Sequence, residues 1–142
     1  VLVSGHAVGL QDVESLSPIT LHGTTTAPYF ANHGGLPQIL LQVPYFPGMG
    51  GSPVLLRRQA PTDSLQFALL GVLTEGAYGT SWGLPGFAPI PMAPAPADSV
   101  FRPLDFGLAV KASVICEAIE DFFRTRFPQD RSPETPAPPP KS

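Results

Sequence analysis

The sequence predicts an all-β domain with one C-terminal helix, in which about six antiparallel strands curl into a barrel. Three observations predict it. Short apolar runs recur along the chain and are separated by clusters of Gly, Pro, Asn and Ser, the pattern of strands joined by turns. Apolar residues at helical spacings of three and four mark one segment, near the C-terminus. Hydrophobic residues make up 43% of the 142 and charged residues 13%, against a usual charged fraction of about 25%.

Val1-Leu2-Val3 reads as a short strand running into the glycine-punctuated loop 4–10. The chain starts there abruptly and without Met, as a fragment or a processed product would. Residues 13–26 alternate loosely around Pro18 and are expected to give one or two strands with a proline-broken edge. Asn32-His33-Gly34-Gly35 is a turn signal, and Gln38-Ile39-Leu40-Leu41-Gln42-Val43 is a strand leading to a glycine-dense stretch at 48–51. Residues 54–56 and 65–73 form the arms of a hairpin joined by a polar, proline-containing loop.

Residues 77–103 are rich in Gly and Pro and are expected to run as an extended surface loop, because proline cannot donate to a strand ladder. Trp82 in that loop either packs on the barrel or contacts a partner. Asp105-Phe106-Gly107-Leu108-Ala109-Val110 returns as a strand, and Ser113 is the expected N-cap of a helix over 114–127 that Pro128 stops. Ile115, Ala118, Ile119, Phe122 and Phe123 make its apolar stripe, expected to pack on the barrel. Glu117, Glu120 and Asp121 lie ahead of Arg124 and Arg126, which suits the helix dipole. Residues 128–142, with Pro138-Pro139-Pro140, read as a disordered tail or as a proline-rich ligand for another module.

Composition excludes several classes. A net charge of −3 and eight Lys+Arg without a basic cluster leave no phosphate-tracking groove, so no nucleic-acid partner is expected. No apolar run reaches the roughly 20 residues needed to span a bilayer. Cys116 is the single cysteine, so no internal disulfide staples the fold. No P-loop, Cys-x-x-Cys or strand-linked G-x-G-x-x-G occurs, and His6, His22 and His33 have no metal-ligand spacing, so neither cofactor nor metal is expected.

The stretch that carries chemistry is Pro47-Gly48-Met49-Gly50-Gly51-Ser52-Pro53-Val54. Three glycines in four positions allow a tight turn whose N–H groups point to one side, a nest able to hold a developing oxyanion. The same residues can also form an ordinary glycine turn ahead of a strand.

The stretch resembles the nucleophile loop of trypsin-like serine peptidases, Gly-x-Ser-Gly-Gly/Ser-Pro-Val, at every position except one: Gly50 stands where that family carries its serine. Loop 5–10, Gly71-Val72-Leu73-Thr74-Glu75-Gly76, and Gly107-Leu108-Ala109-Val110 with the following helix resemble further segments of HtrA-type members, in the same order. The resemblance spans residues 1–127. It implies the C-terminal, six-stranded Greek-key barrel of a trypsin-like double barrel, with a closing helix.

Carried over residue by residue, it implies an oxyanion hole from the Gly48 and Gly50 amides and a cleft edge at Thr74, Glu75 and Gly76 that pairs with an extended polypeptide. Pro44, Tyr45 and Phe46 would form an apolar specificity wall. Catalytic His and Asp would come from an N-terminal barrel, here missing. With glycine at 50 there is no side chain to attack a carbonyl, and Ser52 is read as structural. Two functional readings follow: a serine endopeptidase-like domain, inactive in this chain, or a non-catalytic module binding peptide or protein on a degenerate peptidase fold. A half-domain of this kind is expected to expose apolar surface and to oligomerise or aggregate.

Overall fold

In β1 (Leu2–Gly5), alternate side chains turn inward, and Val3 is completely buried. The computed structural model describes residues 1–10, 14–59, 65–79, 85–90 and 102–127. Around β1 the chain builds one antiparallel sheet in the order β2-β1-β5-β6-β8-β4-β3, with β7 added beside β6. Its strands are β2 (Ile19–His22), β3 (Thr24–Thr25), β4 (Gln38–Gln42), β5 (Pro53–Gln59), β6 (Leu65–Gly79), β7 (Pro85–Pro89) and β8 (Arg102–Lys111). The helix α1 (Ala112–Arg126) follows β8 directly.

The two ends of the sheet, β2 and β3, are separated in sequence by Gly23 alone. The Gly23 N–H donates to the Val1 carbonyl at 3.0 Å, while a Cβ at Gly23 would stand 2.7 Å from the Gln42 carbonyl oxygen and 2.8 Å from Val43 Cβ. Only glycine lets the chain pass between β1 and β4 at that point. The sheet therefore curls into a nearly closed barrel. Its interior is filled by Val3, Ala7, Ile39, Leu41, Val43, Tyr45, Met49, Val54, Leu73, Ile90 and Ala109.

The expected strands at 1–3, 38–43 and 105–110 appear as β1, β4 and β8, and residues 13–26 supply β2 and β3 within the described part. Three expectations are corrected. Residues 77–103 are not a loop throughout: β6 runs on to Gly79, Pro85–Pro89 is a strand, and β8 starts at Arg102. Proline is tolerated there because, among the described residues, β7 has a partner on one side only, β6. Trp82 and the tail 128–142 lie outside the described residues.

The helix starts one residue earlier than its expected cap. Lys111 occupies the N-cap with no side-chain cap bond, and no acidic residue lies in the first turn, although Arg124 and Arg126 do lie in the last. The apolar stripe of α1 is not packed away either: no helix residue is buried, and Ile119, Phe122 and Phe123 are each more than half exposed. The helix leaves the barrel straight from β8 and lies near β6 and β8, with Ala112, Val114 and Ile115 half-buried and every residue from Cys116 on exposed. No helix among the described residues is long and apolar enough to cross a membrane.

Candidate functional site

The glycine stretch forms a double turn between the end of β4 and the start of β5. Met49 is its anchor, completely buried in the barrel, whereas the neighbouring Gly50 is exposed. Three of the loop's amides are engaged. The Met49 N–H donates to the Phe46 carbonyl at 3.1 Å, Gly51 to Leu73 at 2.8 Å and Ser52 to Met49 at 3.0 Å. Among the described residues, the amides of Gly48 and Gly50 have no hydrogen-bond acceptor. Those two are the donors assigned to an oxyanion hole from the sequence.

The three glycines are not equivalent. Gly48 and Gly51 sit in left-handed backbone, at φ +89° and +91°, where a side chain is strained. Gly50 does not. A Cβ there would meet the Ile90 carbonyl oxygen at 3.5 Å and Ile90 Cβ at 3.6 Å, ordinary van der Waals contact. The backbone at 50 therefore accepts a side chain that the sequence does not supply.

A cleft of about 400 Å³ opens beside the loop, lined by Gly48, Gly50, Gly51 and Ser52 on one side and by Ser4, Gly5 and His6 on the other. The two sides are held together by the Val8 N–H, which donates to the Pro47 carbonyl at 2.8 Å. Ser52 is only 6% exposed, its hydroxyl lying over the Cα of Gly5, where a Cβ would overlap it. His6 shares the cleft with Ser52, a proximity that 45 intervening residues concealed in the sequence, while His22 is exposed on β2 and the His33 ring stands edge-on to Phe87 at 5.9 Å. Among the described residues no group of three His, Cys, Asp or Glu could hold a metal ion.

Two site expectations change. Thr74, Glu75 and Gly76 do not present an open edge for a ligand strand, because both sides are filled. Glu75 pairs with Pro89 of β7 and Leu108 of β8, Gly76 with Ala88 and Gly107, and the Thr74 carbonyl accepts the Ile90 N–H at 3.2 Å. Tyr45, expected in an apolar specificity wall with Pro44 and Phe46, is packed into the barrel: its ring lies where a Cβ on Gly76 would be, and its hydroxyl donates to the Ala77 carbonyl at 2.5 Å. Burial holds the Tyr45 phenol above its ordinary range, since the phenolate would lose water.

Sequence reading missed Ile90, which is 7% exposed, belongs to the core and stands between Thr74 and Gly50. Its apolar signal is hidden among the prolines at 85, 89 and 91. Lys111 was missed too. It is 5% exposed, donates to Asn32 Oδ1 at 2.7 Å and to the Phe30 carbonyl at 3.3 Å, and lies 5.4 Å from the centre of the Tyr29 ring. Compared with family models, curated proteins and solved structures, the chain finds no match in any of the three.

Proposed function

We propose that residues 1–127 are the C-terminal barrel of a trypsin-like, HtrA-type serine endopeptidase whose nucleophile position is glycine, so that the chain as it stands does not hydrolyse peptide bonds. The observation that carries this reading is the inequality of the glycines. A plain glycine turn uses glycine where the backbone demands it, yet Gly50, between two demanding positions, sits in backbone with room for a Cβ, and its amide and that of Gly48 have no acceptor among the described residues. A hole for an oxyanion needs such donors, and removing one from a working site costs roughly 100- to 1000-fold in rate.

The strand order lends support. Counting β2 and β3 as one strand bent at Gly23, and leaving β7 aside, six strands run round the barrel, with β5 returning beside β1 rather than beside β4. Such an order supports a Greek-key reading. The exposed Phe122 and Phe123 of α1 are in keeping with a domain whose other half is elsewhere.

A second reading, a non-catalytic peptide-binding module, is favoured by one feature: the extended residues 85–90 already lie along Thr74, Glu75 and Gly76, with Ile90 next to Gly50. One experiment separates the two. Gly50→Ser, joined to an N-terminal barrel that bears His and Asp, is treated with a fluorophosphonate probe, and labelling is expected at residue 50 alone. A folded two-barrel protein that takes no label would remove the peptidase reading and leave the binding module.

A further inference from the structure

Beside the glycine loop, β6 changes partners. Up to Val72 its neighbour on one side is β5, and the Leu73 N–H then donates to the Ser52 carbonyl at 2.9 Å. From Thr74 onward that same side is taken by residues 85–90, while β8 keeps the other. The segment thus lies against the stretch read as the peptide edge and ends with the Ile90 carbonyl facing the vacant side-chain position of Gly50.

We infer that residues 86–90 are a ligand held in cis, and that the edge they occupy takes extended peptides bearing a branched aliphatic residue at the position of Ile90. From the proposed function this takes only the assignment of Thr74, Glu75 and Gly76 as a peptide edge. Backbone pairing supplies the affinity of such a mode and pockets for alternate side chains supply the selectivity. Here Gly76 pairs with Ala88 and Glu75 with Pro89, and the exposed Pro89 makes no demand on the barrel. Ile90 is the residue that enters, joining the core with Tyr45, Met49 and Leu73. Its seat is apolar.

The segment is also built to be exchanged. Prolines at 85 and 89 have no N–H to give, so a strand of five residues keeps three backbone donors. Among the described residues β7 pairs with β6 alone. Besides Ile90, the segment touches the barrel at Phe87, edge-on to His33, and at Gly86, beneath the Tyr78 ring. An element with few ladder bonds and, among the described residues, a partner on one side opens before the strands flanked on both sides.

The test uses the full chain and a fluorescein-labelled peptide, Pro-Gly-Phe-Ala-Pro-Ile amide, followed by fluorescence polarisation. The unmodified protein should bind it weakly, because the tethered segment competes at an effective concentration of order millimolar or more. Ile90→Asp removes the cis residue from its apolar seat and should bind the peptide at least tenfold more tightly. A peptide with aspartate in place of isoleucine should show no gain. A variant that keeps its β-sheet circular dichroism and cooperative melt, yet binds no more tightly than the unmodified protein, overturns the inference.

If Ile90→Asp does not fold, hydrogen exchange on the unmodified protein decides. The Ile90 amide should exchange at least tenfold faster than those of Leu73 and Ala109, and equal protection counts against the proposal. Labelling of Gly50→Ser reports on the glycine loop, so the two ideas fail separately. Labelling without peptide binding sinks the cis ligand alone, and peptide binding without labelling sinks the peptidase alone.

Discussion

Replacing the three loop glycines by alanine, one at a time, measures directly whether Gly50 is a glycine by structural need. At Gly51 the new Cβ meets open space, but φ is +91°, and left-handed backbone costs an L-residue about 1–2 kcal/mol. At Gly48 the same strain at φ +89° is joined by a Cβ 2.6 Å from the His6 carbonyl oxygen and 3.0 Å from Val8 Cγ2. Forcing loop 5–10 aside adds about 1–3 kcal/mol, so Gly48→Ala should lose roughly 2–5 kcal/mol in all. Gly50→Ala meets only Ile90, at ordinary contact distance. Its main effect is to restrict the unfolded chain, a gain of about 0.4–1 kcal/mol.

The expected order of stability is therefore Gly50→Ala, then Gly51→Ala, then Gly48→Ala. Thermal melts followed by circular dichroism resolve it, because 1 kcal/mol moves the Tm of a domain this size by roughly 3–5 °C. A Gly50→Ala protein that loses as much as Gly48→Ala would show that position 50 needs glycine, and the argument for a vacated nucleophile position would fall with it.

Three further outcomes are expected. Gly76→Ala drives a Cβ into the Tyr45 ring, 2.6 Å from Cε1 with two ring carbons nearer still; overpacking plus the lost bond to Ala77 should cost about 2–4 kcal/mol, and the penalty should shrink in a Tyr45→Leu background, so equal penalties in both would refute the contact. Because burial raises the Tyr45 pKa above 10.0, its contribution to stability is fully present below about pH 10 and is lost as pH rises through the higher folded value; chemical denaturation from pH 8 upward should show the fall, and a Tyr45→Phe protein that falls just as steeply would assign it elsewhere. Lys111→Met removes a charged donor from Asn32 and Phe30 and should cost about 1–3 kcal/mol; increased stability would mean that burying the charge costs more than its bonds return.

What the chain settles by itself is what neighbouring residues decide. Apolar runs bounded by turn residues place β1, β4 and β8, and the three-and-four spacing places α1, because both patterns follow from the local geometry of a strand or a helix. The glycine loop was legible for the same reason: the turn at 48–51 is made by its own residues. The partners were not. Whether 85–89 is loop or strand depends on β6 having an unfilled side there, and proline, which argues against a central strand, is harmless in one paired on a single side. The stripe on α1 predicted a buried face, but burial needs an opposing surface, and the described barrel offers none beyond the first turns. His6 reached Ser52, Lys111 reached Asn32 and Ile90 reached Gly50 through barrel closure, which joins residues tens of positions apart. Only the tertiary structure could decide that Gly50 had room for a side chain, because that room is set by Ile90, forty residues away in the chain.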